Sequence, residues 1–214
     1  RHEINQILAE PKAPDMLARL DVLGILSAIH RALPWDQNVK AYLQELDIDE
    51  IDPAWDLPGK MDHLDLKQIL SYMVWLGQLP EMTLRSIASR LRFKSDVKKL
   101  LIATSKVNRR LPDLRDASPS GVVNALENIP RIAIYAAYQV NTSSELRKLI
   151  WHYVTKWSTV EPKTSADDLR KMGLPPSPAY ARILTALRDA WLDGDVKSVE
   201  EEKALLDSLV SSIE

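Results

Sequence analysis

Apolar positions recur along this chain at three- and four-residue spacing, and no stretch alternates cleanly at period two, so the pattern predicts helices throughout. Ile4, Ile7 and Leu8 form the inner face of an opening helix that stops at Pro11. A second helix, from about Pro14, is expected to bury Met16, Leu17, Leu20 and Leu23 and to end at Gly24. Residues 25–35 are short and apolar, with Pro34 as a breaker. Val39, Tyr42, Leu43 and Leu46 make the third helix, and the acidic, proline-containing segment 47–60 that follows reads as a flexible loop. Leu66, Ile69, Leu70, Met73, Val74 and Leu76 fill a long helix closed by Gly77, and Leu84, Ile87, Ala88 and Leu91 the next. Ser95 is placed to cap a helix with Val97, Leu100, Leu101, Thr104 and Val107 inward. Ser118-Pro119 opens another, and 130–140 is apolar nearly all round, which predicts a central helix. Leu146, Leu149, Ile150, Tyr153, Val154 and Trp157 give a wide inward stripe.

The last fifty residues carry the most complete punctuation. Ser165 can cap a short helix with Asp167 and Asp168 in its first turn and Arg170 and Lys171 in its last, signs that suit the helix dipole. Gly173 supplies a left-handed residue to end it. Ser177 then caps a second helix with Pro178 in its first position, where a missing N–H costs nothing. Tyr180, Ile183, Leu184, Leu187 and Trp191 make one apolar stripe, and Gly194 closes it. Ser198 with Glu201 forms a capping box for a final helix that buries Leu205, Leu206 and Leu209. The expected fold is therefore all-α: a helical body over 1–160 followed by a small three-helix tail over 161–214.

At 214 residues the chain can bury a real core, and 45% apolar with 27% charged residues is an ordinary globular balance. No run of eighteen apolar residues predicts a membrane span, and no signal-peptide core is present. The absence of cysteine excludes a disulfide framework and a thiolate metal site, and fits a reducing cytoplasm. The start at Arg1, inside an amphipathic pattern, reads as a piece of a longer protein.

A formal net charge of −2 does not advertise a nucleic-acid binder, but the charge is uneven. Between residues 45 and 66, eight acids face Lys60 alone; between 92 and 115, eight bases face Asp96 and Asp113. On the helix from Ser95, Lys99, Lys106 and Arg110 recur opposite the apolar stripe, with Arg92, Lys94, Lys98 and Arg109 beside them. Such a cluster can contact phosphates, although most charged helix faces only solvate. Ser177 and Tyr180 offer a second candidate, free N–H groups at a helix start beside an aromatic ring, although a packed tyrosine is the commoner role.

Catalytic signals are absent. Asp47 and Asp49 have the spacing of a metal-binding pair, but no strand or Gly-Ser turn supports them, and carboxylates need a rigid support to hold a metal. His2, His30, His63 and His152 are far apart and lack ligand spacing. There is no phosphate-binding glycine loop among six glycines and no nucleophile elbow.

Two stretches resemble the bacterial tRNA nucleotidyltransferase family, which includes CCA-adding, A-adding and poly(A) polymerase-like enzymes. In the tail the matching residues are Asp168-Leu169, Gly173-Leu174, Pro176-Ser177-Pro178, Asp193-Gly194 and Glu200-Glu201-Glu202. At the start they are Arg1, Glu3, Ile7, Leu8, Leu17, Leu20, Gly24, Leu26 and His30. Ser177 and Ala166 stand where the family usually has glycine. The resemblance implies a region that positions tRNA or other RNA, joined in the parent protein to a catalytic head that uses magnesium and ATP or CTP. No metal, cofactor or catalytic residue is expected from this piece. The alternative is a helical interaction domain that binds protein, including a second copy of itself, through the acidic segment or an apolar face.

Overall fold

The computed structural model describes residues 1–61, 63–174 and 178–211. In chain order its helices are α1 (His2–Ala9), α2 (Ala13–Val22), α3 (Ile25–Ile29), α4 (Gln37–Gln44) and α5 (Leu66–Leu76). Then come α6 (Glu81–Arg90), α7 (Ser95–Arg110), α8 (Pro119–Leu126), α9 (Arg131–Val140) and α10 (Ser144–Thr155). The tail adds α11 (Ala166–Lys171), α12 (Pro178–Asp193) and α13 (Val199–Ser211). The chain is all-α, with one addition that periodicity missed among the described residues: Lys60–Met61 pairs antiparallel with Leu64–Asp65 in a two-residue ladder. Strands this short carry no alternation to read.

The chain divides into two units, one of Arg1–Arg115 with Asn128–Ile150, the other of Asp116–Glu127 with Trp151–Glu214. In the first, α5 is the hub. Residues 69–76 are buried without a break, so this helix has no solvent stripe along most of its length. It packs on α1, α4, α7 and α9. Asp65 and Gln68 close a reciprocal capping box at its start. The polar tips of its aromatics are satisfied: the Tyr72 hydroxyl donates to Asn5 Oδ1 at 2.7 Å and the Trp75 indole N–H to the Pro34 carbonyl at 2.6 Å. Burial pushes the Tyr72 hydroxyl pKa well above its ordinary value, against the nearby Arg1 charge. The expected central helix over 130–140 is α9, with seven of its ten residues buried.

Three local expectations need correction. Met16 and Leu23 are exposed (38% and 55%), because α2 turns Ala13, Pro14 and Leu17 inward instead. The loop 47–60 is pinned, since Pro53–Trp55 forms a 3-10 turn and the buried Trp55 ring meets Tyr135 and Tyr138 at 4.9 and 5.1 Å. Lys94, with extended backbone, is the N-cap of α7, so Ser95 is its first helical residue and makes no cap.

In the second unit, Leu169, Ile183, Leu187 and Leu206 form a buried cluster across α11, α12 and α13, with Tyr180, Leu184, Leu205 and Leu209 packed against it. Ser165 and Asp168 cap each other's backbone, which holds the Asp168 carboxyl down to about 2 with help from Lys171. Gly173 and Gly194 have φ of +86° and +80°, the left-handed ends expected of them. At the start of α13 the Ser198 hydroxyl accepts the Glu201 N–H at 3.2 Å, and Glu201 reaches back to the Lys197 N–H. Ser177 and its cap lie outside the described residues.

Candidate nucleic-acid interface

The packing of α7 against α5 and α9 decides which of its side chains face outward. Its inner polar residues are tied to the turn after α5: Ser105 Oγ donates to the Leu79 carbonyl at 2.7 Å and Asn108 Nδ2 to the Gly77 carbonyl at 2.9 Å. Thr104 lies so close to Gly77 that a Cβ there would come within 2.5 Å of its Cγ2. At about 100° per residue, the helix then leaves Lys99, Lys106 and Arg110 close to one outward line, while Lys98 is turned about 100° away.

Lys99, Lys106, Arg109 and Arg110 border one open groove of about 650 Å³, joined by Arg85 of α6. Its apolar floor comes from Ile102 and Ala103 on α7 and from Ile129 and Pro130 in the turn before α9. Five cations therefore rim a strip of hydrocarbon, all within the first unit. Among the described residues Arg109 and Arg110 make no ion pair, and Lys99 reaches only Asp96 at 3.7 Å. A second carboxylate, Glu81, also enters this set. Its Oε1 accepts from Arg85 Nε at 2.9 Å and Nη2 at 2.5 Å, and its Oε2 stands 4.0 Å from Lys106 Nζ. The Arg85 hydrogen bond, with the charges of Arg85, Lys106 and Arg109, holds Glu81 below the ordinary carboxylate range against the opposing effect of burial. The arrangement can hold an anion with an apolar portion, and phosphate esters are the class such cation clusters take.

The remaining candidates are elsewhere. Arg92 sits at a left-handed φ of +52°, and its carbonyl accepts from Arg1 Nη1 at 2.6 Å. Lys94 and Lys98 do not border the groove. The Tyr180 hydroxyl donates to the Leu174 carbonyl at 2.6 Å and its ring packs on the tail cluster. Arg85 escaped the sequence because its signal, an i,i+4 pair with Glu81, is that of any solvated helix face.

Asp47 Oδ1 accepts the Asp49 N–H at 2.9 Å, so this pair closes a loop turn. Among the described residues no three acidic or histidine side chains gather in a cluster able to hold a metal, and no helix is long and apolar enough to cross a membrane.

Over its whole length the chain has the fold of part of the CCA-adding enzymes. It covers 100% of itself and 50% of the Thermotoga maritima CCA-adding enzyme complexed with tRNA, at a TM-score of 0.71 and 15% identity. A CCA-adding enzyme in complex with ATP matches over the same shares at 0.70 and 16%. In sequence, the chain is similar to the A-adding tRNA nucleotidyltransferase of Geobacter sulfurreducens, 22% identical over 220 residues that make up 99% of this chain and 24% of that protein. No protein-family model matches. The chain thus spans about half the length of the solved structures and a quarter of the curated relative. The resemblance carried by the opening and tail motifs recurs over the full chain, in sequence and in fold.

Proposed function

We propose that this chain is the RNA-positioning body and tail of a tRNA nucleotidyltransferase-like protein, and that the α7 groove contacts the phosphates of tRNA or another RNA. The observation that carries this reading is the match over the entire chain to a CCA-adding enzyme complexed with tRNA. The groove supplies the chemistry: cations of Lys and Arg over a surface that accepts hydrocarbon. Magnesium and ATP or CTP belong, on this reading, to a catalytic head in the parent protein, and the adding activity belongs to that head.

The test is tRNA binding by the purified chain as a function of salt. Each neutralised phosphate releases condensed counterion, so affinity should fall steeply as salt rises. Replacing Lys99, Lys106 and Arg110 together with alanine should weaken binding and flatten the slope of log affinity against log salt by roughly two to three. An unchanged slope removes the groove from the RNA path, and no tRNA binding at low salt removes the reading.

A second reading is favoured by one observation. Val22, Leu23 and Ile25 are exposed at 77%, 55% and 40% around the α2–α3 turn, an apolar patch suited to protein. A chain that ignores tRNA but self-associates in sedimentation, and loses this on Val22→Lys with Leu23→Lys, would be an interaction domain.

A further inference from the structure

We infer that Glu81 is a built-in counter-anion of the groove, standing where an RNA phosphate would stand and setting how tightly the groove holds one. The inference rests on the RNA reading and names the residue that tunes it. Carboxylate and phosphate oxygens ask the same thing of a guanidinium: parallel N–H donors at hydrogen-bond distance. Glu81 already receives two guanidinium N–H donors from Arg85, both on Oε1, and its Oε2 stands 4.0 Å from Lys106 Nζ. Glu81 thus ties together two of the five groove cations, Arg85 and Lys106, while Lys99 reaches Asp96 and, among the described residues, Arg109 and Arg110 make no ion pair.

The neighbouring geometry separates this from an ordinary surface pair. An i,i+4 ion pair usually stands in solvent and involves only its own helix. Here the carboxylate of α6 faces cations of α7 as well, and its side chain is only 28% exposed. An incoming phosphate has two routes. It can take Arg85 and Lys106 from Glu81, or it can bind beside Lys99 and Arg110 with the carboxylate's charge close by. Either route is less favourable than in a groove without the carboxylate. Glu81 therefore lowers affinity for any polyanion, which disfavours loose capture and leaves tight binding to an RNA that also uses the apolar floor.

The experiment compares wild type, Glu81→Gln and Glu81→Gln/Arg85→Ala in tRNA binding across a salt series. Glutamine keeps the length and shape and removes only the charge. Affinity for tRNA should rise by roughly threefold to tenfold in Glu81→Gln at low salt, and the salt slope should steepen by up to about one, as one more cation becomes free to displace counterions. In the double variant the gain should shrink, because Arg85 is the cation released. Circular dichroism should be unchanged in both. Equal or weaker binding by Glu81→Gln overturns the inference. If the Lys99, Lys106 and Arg110 change weakens binding while Glu81→Gln leaves it unaltered, only the role of Glu81 fails. If neither the triple change nor Glu81→Gln has any effect, the RNA reading of the groove fails with it.

Discussion

Glu202 gives the sharpest stability test, because it is a carboxylate only 1% exposed in the middle of the tail. It accepts the N–H of Lys163 at 2.9 Å, the N–H and hydroxyl of Thr164 at 2.6 and 2.5 Å, and the indole N–H of Trp191. Two separate segments, 163–164 and α12, thus converge on one side chain of α13. Burial alone pushes its pKa up, but four donors aimed at the anion outweigh this and hold the pKa below its ordinary value of 4.5. Replacing it by glutamine keeps the volume but turns one acceptor into a donor facing donors. Hydrogen bonds to a charged group contribute about 1.5–3 kcal/mol each, and the carboxamide forfeits some of them and gains none, so Glu202→Gln should cost about 3 kcal/mol. With a urea slope of about 2 kcal/mol/M, the midpoint followed by tryptophan fluorescence should fall by roughly 1.5 M. Amide exchange at Lys163 and Thr164 should accelerate in parallel. The pH dependence follows from the sign of the shift. The unfolded chain binds the proton more tightly, so the stabilisation is complete above about 4.5 and is lost as pH falls through the lower, folded value. Glu202→Gln should remove that part of the acid sensitivity. A midpoint moved by less than about 0.3 M, with protection at both amides intact, would refute the claim that this carboxylate holds the tail together.

Two further expectations concern the first unit. Gly77→Ala should destabilise by about 1–3 kcal/mol in thermal or urea unfolding, since its methyl would meet the Met73 carbonyl oxygen and, at 2.5 Å, the Thr104 side chain, straining both the end of α5 and its contact with α7. Supplied with magnesium, ATP and CTP, the chain alone should add no nucleotide to tRNA; addition abolished by changing Asp47 and Asp49 to asparagine would place a metal site in that loop.

Legibility in the sequence followed the range of the interactions. Four helix boundaries of the tail were readable because each is written within four residues: Ser165 with Asp168, Gly173, Gly194, and Ser198 with Glu201. The role of Glu202 was not, since its donors come from residues 38, 39 and 11 positions away. In α2, spacing showed that one face is apolar, but which apolar residues are covered depends on neighbours, and Met16 and Leu23 were left outside. Trp55 looked like part of a mobile acidic loop because its partners, Tyr135 and Tyr138, lie some eighty residues further on. The groove divided in the same way. Lys99, Lys106 and Arg110 announce one line by their period, whereas Arg85, Ile129 and Pro130 join them only when α6 and the turn before α9 come to rest beside α7.

The uneven charge explains why a chain of net charge −2 can still present a cluster of cations on one face. Asp47 and Asp49, from the acidic stretch, line a different cleft of the first unit together with Glu10 and Asp15, and that cleft shares no residue with the groove. At physiological salt an exposed charge is largely screened beyond about 8 Å. The potential met by a phosphate at α7 therefore depends first on the charges within that range, the groove cations with Glu81 and Asp96 beside them. Net charge sums both regions with equal weight and so hides both. What a salt titration counts is the number of counterions released at the contact. That number belongs to the few side chains around the groove, where Glu81 stands 4.0 Å from Lys106.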